Sequence, residues 1–265
     1  MDIRFDGKVV LITGGSDGIG LASAELFGSL GAKTAICGTN PEKLTRAADR
    51  LRQKEINVFA ETCDVSDGQD LEAFAVHAAG ALGPLDIWIA NAAICPQYSI
   101  LETEEALWDQ TVATNLKSVY LSARIAFSAM RDRGGVLLLA SSFAARFPSV
   151  GSGVYAATKA GVSSMVKTLA AEMAPYGIRV NGYIPGVINT EMNRARIAAD
   201  EDALKSAIAL QSFGEPIDVA WALAFLASGY ARYITGTALE ISGGKMGVQN
   251  PDRAWQDKAA GKQPG

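Results

Sequence analysis

Short apolar runs alternate with longer amphipathic segments along most of this chain, and that alternation limits the folds open to it. The runs at residues 8–15, 33–38 and 57–65 contain many β-branched residues, and the segments between them repeat apolar residues at helical spacing. Strands separated by helices of this length need crossover connections, which produce parallel sheets covered by helices. The sequence therefore predicts an α/β fold with a doubly wound parallel sheet of about seven strands and helices on both faces.

The alternation continues through the second half without a linker. A long helix is predicted at residues 103–133, a buried strand at 134–142, and further elements reach residue 244. We therefore expect residues 1–244 to form a single domain. Residues 245–265 are rich in Gln, Pro, Gly and charged residues, which predicts a polar C-terminal tail that wraps a neighbouring subunit or is poorly ordered.

Charge and hydropathy exclude several partners. The 265 residues include 24 Lys and Arg against 28 Asp and Glu, giving a net charge of −4, so the chain lacks the positive field that nucleic acid or an anionic membrane surface attracts. The sequence shows no apolar stretch long enough to span a bilayer and no signal peptide pattern. We therefore expect a cytoplasmic protein with no membrane or nucleic-acid partner.

Cysteine and histidine usage narrows the chemistry. Cys37, Cys63 and Cys95 are widely spaced and form no CxxC pair, which disfavours a disulfide framework or a thiolate zinc site and favours buried free thiols. His77 is the only histidine and has no nucleophile motif near it, so we interpret it as structural. No metal is predicted, and proton chemistry falls to Tyr, Lys, Asp, Glu or Cys.

A glycine-rich segment, TGGSDGIG at residues 13–20, lies where the first predicted strand turns into the first helix. Glycines there permit positive φ and let the backbone approach a pyrophosphate, which the helix N-terminus then stabilises. The spacing GxxxGxG differs from both GxGxxG and a P-loop, so a tight connection without ligand stays open. The candidate cofactor residues in this segment are Gly14, Ser16, Asp17, Gly18, Ile19 and Gly20.

A phenol and an ammonium group share one face of a predicted helix. Tyr155 and Lys159 stand at i and i+4, and a nearby cation lowers the pKa of a phenol. We expect Tyr155 to exchange a proton with a substrate oxygen near neutral pH. Ser142 ends a strand at the carboxyl edge of the sheet, where ligands of such folds bind.

These motifs together resemble the short-chain dehydrogenase/reductase family of the single-domain type, with a Rossmann-type sheet, over residues 8–244. The chain is similar to its 3-oxoacyl-ACP reductase and alcohol dehydrogenase-like members. The glycine segment resembles the family's TGxxxGxG loop. The other matching positions, in chain order, are Asp64 and Val65, Asn91, Asn115, Ser142, Tyr155, Lys159, and Pro185, Gly186, Ile188 and Thr190.

The resemblance implies hydride transfer between NAD(P)(H) and a ketone or secondary alcohol. Tyr155 is then the acid or base, Lys159 lowers its pKa and holds the nicotinamide ribose, and Ser142 hydrogen-bonds the reacting oxygen. Asn115, at an irregularity in the long helix, holds a water that links Lys159 to solvent. Asp64 and the residues from Pro185 to Thr190 contact the adenine and nicotinamide ends respectively. Three positions depart from the family pattern, namely Ala90, Ala93 and Ser242.

The choice between NAD and NADP depends on the end of the second strand. Gly38 and Thr39 stand where the family places a carboxylate that selects NAD, so a 2′-phosphate is admitted there. Lys43 or Arg46 would supply positive charge to it, whereas Asp17 opposes it. The sequence thus favours NADP(H) and leaves NAD(H) open.

Substrate and assembly are less defined by the sequence. Small residues on the helix that begins at Tyr155, and the resemblance itself, predict a homotetramer or homodimer through this helix and the long one before it. Residues 191–212 are expected to form a mobile lid over a carbonyl or alcohol substrate such as a β-ketoacyl thioester, a sugar or a steroid. The expected pocket residues are Ile94, Tyr98, Phe143 and Phe147, with Met192 and Phe213 at the ends of the lid, and Arg146 is either a surface residue or a contact for an anionic substrate.

Three other classes remain as alternatives. A non-catalytic dinucleotide-binding sensor has no need of Ser142, Tyr155 and Lys159 together. A nucleotide-sugar epimerase or dehydratase shares the Tyr-Lys pair but usually has a longer C-terminal substrate domain. A methyltransferase shares a glycine loop but explains neither the Tyr-Lys pair nor the segment PGVINT at residues 185–190.

Overall fold

The computed structural model describes residues 2–245 and 247–262 and contains one parallel sheet. Its seven strands have the order β3-β2-β1-β4-β5-β6-β7, and every neighbouring pair is parallel. The predicted α/β class and strand number are thereby confirmed. The strands are β1 (Val9–Thr13), β2 (Lys33–Gly38), β3 (Val58–Thr62), β4 (Ile87–Ala90), β5 (Gly135–Ala140), β6 (Ile178–Pro185) and β7 (Ala238–Ile241).

Helices cover both faces of the sheet, as the crossover argument requires. Asn40 accepts a hydrogen bond from the Lys43 amide and Asp67 accepts from the amides of Gln69 and Asp70, so two of the helices begin at side-chain caps. The helices are α1 (Gly18–Ser29), α2 (Pro41–Gln53), α3 (Gly68–Leu82), α4 (Glu105–Val112), α5 (Ser118–Met130), α6 (Gly153–Met173), α7 (Glu191–Ala199), α8 (Glu201–Ser206), α9 (Pro216–Ala227) and α10 (Arg253–Ala259).

Side chains alternate between two buried layers along the central strands. Leu11 and Trp88 pack with α3, α5 and α6 on one face, whereas Ile12 and Ile89 pack with α1, α2 and α9 on the other. Because both faces are covered, these strands are apolar at nearly every position. Trp88 is fully buried at the centre of the sheet.

The predicted long helix over residues 103–133 is interrupted. A π-helical turn, Ala113–Lys117, separates α4 from α5 and contains Asn115. Turns of this kind insert an extra residue into the helix and occur often at functional sites. The structure therefore confirms the irregularity expected at Asn115.

The lid and tail both contain helices. Residues 191–206 form α7 and α8, and the tail forms α10, whose Trp255 Nε1 donates a 2.8 Å hydrogen bond to the Ala209 carbonyl. The tail thus contacts residues 191–212 of the same chain, and α10 was not predicted from the sequence. That residue 244 is the boundary of the catalytic domain remains a prediction.

The strand order reverses direction between β1 and β4. The chain builds outward from β1 through β2 to β3 and then returns to place β4 on the opposite side of β1. Ligands of open α/β sheets bind at the carboxyl ends of strands where such a reversal occurs. A site is therefore expected beyond Thr13 and Ala90, where β1 and β4 end.

Candidate active site

The glycine segment turns tightly between β1 and α1. Gly14 and Gly18 have φ of +65° and +51°, a conformation that other residues rarely adopt. A Cβ on Gly20 would lie 2.1 Å from the Gly14 carbonyl oxygen, so Gly20 permits α1 to pack against the loop. The Asp17 carboxylate caps α1 by accepting a 2.7 Å hydrogen bond from the Gly18 amide. The remaining orphan amides of the first turn are available to an anion.

Asn91 fastens this loop to the neighbouring strand. The Thr13 hydroxyl oxygen accepts hydrogen bonds from the amides of Asn91 and Ala92 at 3.0 and 3.1 Å. The Asn91 side chain donates to the Thr13 and Gly14 carbonyls, and its oxygen accepts from the Tyr183 hydroxyl at 3.0 Å. Asn91 therefore positions the glycine loop, with Tyr183 as a buried support that the sequence did not reveal.

Ser142, Tyr155 and Lys159 meet at a single cavity of about 260 Å³. Ser142 follows β5, and its hydroxyl accepts a 3.2 Å hydrogen bond from the Ala144 amide. Tyr155 and Lys159 project from one face of α6. The Lys159 ammonium donates a 2.8 Å hydrogen bond to the Ala140 carbonyl and lies 5.7 Å from the centre of the Tyr155 ring.

Ser141 links the end of β5 to α6 through its hydroxyl group. Its hydroxyl donates a 3.1 Å hydrogen bond to the Lys159 carbonyl and is 2.6 Å from the Ser163 hydroxyl. These contacts tie the end of β5 to α6 and so hold Ser142 opposite Tyr155. The sequence offered no signal for this role, because adjacent serines at a strand end have no distinguishing pattern.

The predicted lowering of the Tyr155 pKa is wrong for this structure. Burial raises the pKa of Tyr155 to about 12, although the hydrogen bond with Ser142 acts in the opposite direction. Burial also lowers the pKa of Lys159 to about 8. The reason is that desolvation outweighs the stabilisation expected from Lys159, whose ammonium is directed to the Ala140 carbonyl. Tyr155 is therefore protonated at neutral pH.

Asn115 contacts the loop that follows β4. Its side-chain oxygen accepts from the Ile94 amide at 2.9 Å, and its side-chain nitrogen donates to the Ile94 carbonyl at 2.8 Å. A further 3.3 Å hydrogen bond reaches the Thr158 hydroxyl on α6. Asn115 thus joins the π-helical turn, the loop after β4 and α6, and its role in holding a water beside Lys159 remains a prediction.

The opposite wall of the cavity comes from the segment after β6. Pro185, Gly186, Ile188 and Thr190 all line it, facing the glycine loop. A Cβ on Gly186 would lie 2.7 Å from the Ser242 Cα, so this glycine allows the end of β6 to approach the end of β7. The cavity extends from Gly14 on the glycine loop to Tyr155 on α6.

The predicted adenosine-binding residues lie farther along the sheet edge. Thr39 follows β2, while Asp64 and Val65 follow β3, and none of the three lines the cavity around Tyr155. The Asp64 carboxylate accepts hydrogen bonds from the amide and hydroxyl of Ser66. Their contact with a cofactor remains a prediction.

Lys43 forms an ion pair with the first residue of α7. Its ammonium forms an ion pair with Glu191 at the start of α7, and this pair holds the pKa of the Glu191 carboxyl below its usual range. Glu191 also lies near Asp17. Of the two predicted phosphate-binding cations, Arg46 instead faces Glu42 on its own helix at 3.9 Å.

The substrate side of the cavity differs from the sequence-based expectation. Phe143 and Met192 line it, but Ile94 does not, and Tyr98 and Phe147 are exposed outside it. Arg146 also lies outside, so the predicted anion contact is not at the cavity wall. The lining residues that the sequence analysis missed include Cys95, Gln97, Ser149, Asn193 and Arg196.

The other candidate residues of the sequence analysis are the single histidine and the three cysteines. His77 is exposed on α3 and its Nδ1 is 3.0 Å from the Glu61 carboxylate, which agrees with a structural role. Cys37 and Cys63 are buried and unpaired, whereas Cys95 is only partly buried, contrary to expectation. Within residues 2–245 and 247–262, no three metal-ligating side chains cluster and no helix is long and apolar enough to cross a membrane.

Comparison with known proteins identifies the family. A family model described as Enoyl-(Acyl carrier protein) reductase matches residues 14–245. A crystal structure of a short-chain type dehydrogenase/reductase from Mycobacterium marinum aligns with a TM-score of 0.88 at 30% identity, covering 93% of this chain and 98% of that one. The chain belongs to the short-chain dehydrogenase/reductase family. It is accordingly an NAD(P)-dependent oxidoreductase that transfers hydride between the cofactor and a CH–OH or C=O group, and a purely sensing role is not favoured.

Two curated relatives are named for reactions on different substrates. L-rhamnose 1-dehydrogenase (NAD(P)(+)) of Azotobacter vinelandii is 35% identical over 248 residues, covering 89% of this chain and 96% of that protein. 3-oxoacyl-[acyl-carrier-protein] reductase of Rickettsia typhi is also 35% identical, over 247 residues, covering 93% of this chain and 100% of that protein. These relatives support the reaction class and leave the substrate open.

Proposed function

We propose that this dehydrogenase/reductase uses Tyr155 as its general acid in carbonyl reduction, and as its general base in alcohol oxidation once Lys159 and the bound oxidised cofactor stabilise the phenolate. The observation that carries the proposal is the convergence of Ser142, Tyr155 and Lys159 on one cavity that is also lined by the glycine loop and by the segment after β6. A reacting carbon placed there lies beside both a proton donor and the cofactor groove. The substrate is a small ketone or secondary alcohol.

The cofactor, when bound, supplies or accepts the hydride and carries positive charge in its oxidised form. The other contributions come from the chain itself. The Tyr155 hydroxyl, with its pKa raised to about 12, donates a proton to the oxygen of a carbonyl substrate. The Ser142 hydroxyl donates a hydrogen bond to the same oxygen and stabilises its developing charge. Lys159 places a buried positive charge beneath the Tyr155 ring and favours the phenolate that remains.

NADP(H) is proposed as the preferred cofactor. No carboxylate follows Gly38 at the end of β2, and Lys43 lies in the first turn of α2, immediately beyond Thr39. A 2′-phosphate there would compete with Glu191 for the Lys43 ammonium. Fluorescence titration at fixed salt is expected to show NADPH binding about ten-fold more tightly than NADH, and the Lys43→Ala change is expected to remove most of that difference.

The matched control for Lys43→Ala is Arg52→Ala. Arg52 lies near the other end of α2 and pairs with Asp49 on the surface at 3.0 Å, so its removal changes net charge equally without touching the cofactor groove. Tighter binding of NADH than NADPH by the wild-type protein would overturn the proposed preference. That result would mean that repulsion of the 2′-phosphate by Asp17 outweighs its attraction to Lys43.

We propose a homotetramer or homodimer assembled through α4, α5 and α6. Trp108 and Tyr120 are 41% and 48% exposed on the long helix, and α6 presents the small exposed residues Ala157 and Ala160. Small residues allow close helix approach, and exposed aromatics are enriched at interfaces. Sedimentation of the wild type is expected to give a multiple of 27.8 kDa, and the change Ala160→Arg is expected to produce smaller species.

The matched control for the assembly is the change Ala81→Arg on α3, which is also exposed and adds the same side chain. That variant is expected to sediment like the wild type. A wild-type monomer would contradict the proposed assembly. We propose the cytoplasm as the location, because Cys37, Cys63 and Cys95 are all unpaired, as in reducing compartments.

A further inference from the structure

Two cations contact one aromatic ring, Phe143, which lines the cavity beside Ser142. The Arg196 guanidinium carbon, on lid helix α7, lies 5.9 Å from the centre of the Phe143 ring. The Lys245 ammonium, which follows β7, lies 5.4 Å from the same ring. Phe143 directly follows Ser142 and is 7% exposed. The two positive charges are therefore held beside the catalytic residues by different parts of the chain.

Neither cation has an acidic partner among the described residues. Every ion pair within residues 2–245 and 247–262 involves other cations, even though acidic residues outnumber basic ones by 28 to 24. Burial lowers the pKa of Lys245, and the nearby Arg196 lowers it further. Two unpaired like charges repel each other, and a bound anion would relieve that repulsion.

The pair lies near the catalytic groups rather than near the adenosine end. Arg196 lines the same cavity as Ser142, Tyr155 and Cys95, whereas Lys245 does not line it and contacts Phe143, which does. The charges of both Arg196 and Lys159 act to lower the pKa of the Cys95 thiol, although burial raises that pKa overall. An anionic group between Arg196 and Lys245 would therefore lie at the substrate end of the cavity.

We propose, on the basis of the proposed function, that the substrate is an oxo acid or hydroxy acid whose carboxylate binds between Arg196 and Lys245. A guanidinium presents parallel N–H donors that match the two oxygens of a carboxylate, and the ammonium adds a point charge. Both cations lie within about 6 Å of the centre of the Phe143 ring, whose electron-rich face attracts positive charge. Because Arg196 belongs to α7, carboxylate binding also draws the lid toward the reacting carbon.

Calorimetric titration of the NADP⁺-bound protein tests the proposal without requiring turnover. The probes are levulinate and acetoacetate, each compared with its methyl ester, which keeps the ketone and removes the charge. Each acid is expected to bind about ten-fold or more tightly than its ester. In the double variant Arg196→Gln/Lys245→Gln, the ratio of the Kd of the ester to the Kd of the acid is expected to fall close to one. In the wild type, added salt is expected to lower this ratio.

Arg194→Gln is the matched control, because Arg194 lies on the same helix, bears the same charge and does not line this cavity. It is expected to retain the preference for acids. Equal binding of acid and ester, or no binding of either acid, would overturn the proposal, as would a loss of NADPH affinity in the double variant, which would assign both cations to the cofactor. Failure of the proposed function is distinct: the Tyr155→Phe variant would then reduce a neutral ketone as fast as the wild type does.

Discussion

Replacing Tyr155 with phenylalanine is expected to lower kcat/KM for carbonyl reduction by about a thousand-fold, the range over which general acids act. The change removes only the hydroxyl at the cavity beside Ser142 and leaves the ring that packs near Lys159. Cofactor binding is expected to stay within about two-fold of wild type, because the glycine loop and the segment after β6 are untouched. Steady-state assays, together with NADPH titration of the same samples, measure both quantities.

Tyr98→Phe is the matched control for this variant. Tyr98 is 56% exposed and lies outside the cavity, so loss of its hydroxyl is expected to leave kcat/KM unchanged. Full activity in Tyr155→Phe would remove Tyr155 from the mechanism. A parallel loss of NADPH binding would instead show that the phenol serves the cofactor and not the proton transfer.

Most of the correct predictions came from the spacing of residues close together in the sequence. The glycine loop lies at a strand-to-helix turn, and Tyr155 and Lys159 share a helix face, so both features follow from periodicities of a few residues. The π-helical turn at Asn115 was expected as an irregularity, but its hydrogen bonds to Ile94 were not. Those bonds depend on how the loop after β4 packs against the long helix, which no local pattern encodes.

Residues far apart in the chain were missed for the same reason. Tyr183 reaches Asn91 across 92 positions, and Arg196 and Lys245 both contact Phe143 only because α7 and the end of β7 come close to it. The direction of the Tyr155 pKa was also wrong. Spacing indicates that a cation is near a phenol, whereas desolvation depends on the whole surrounding structure. Sequence thus revealed the reacting groups, and packing determined their electrostatics.

The Lys159→Met change is expected to abolish activity and yet stabilise the protein. Lys159 is 2% exposed, and burial lowers its pKa to about 8. Because an unfolded lysine has a pKa near 10.4, keeping this amine charged in the folded state costs about 3 kcal/mol at neutral pH. Methionine has a similar length and no charge. It loses the charged hydrogen bond to the Ala140 carbonyl, worth about 2 kcal/mol, so a net gain of roughly 1 kcal/mol is expected.

The stability gained in the Lys159→Met variant is expected to decrease as pH rises above 8. Between pH 8 and the unfolded value near 10.4, the unfolded chain binds more protons at this lysine than the folded chain does. Stability of the wild type therefore rises with pH through this window as the buried amine becomes neutral, whereas the Met variant has no such group. The difference in free energy of unfolding should accordingly be largest below pH 8 and shrink above it.

Urea unfolding of wild type, Lys159→Met and Lys167→Met at equal protein concentration checks this expectation. Lys167 lies two turns farther along α6 and is exposed, so its replacement removes the same charge without relieving burial. That control should keep wild-type stability and activity. A destabilised Lys159→Met protein would mean that the hydrogen bond to Ala140 outweighs the burial of charge. If the variant is more stable but inactive, the buried lysine is retained for catalysis at the expense of folding free energy.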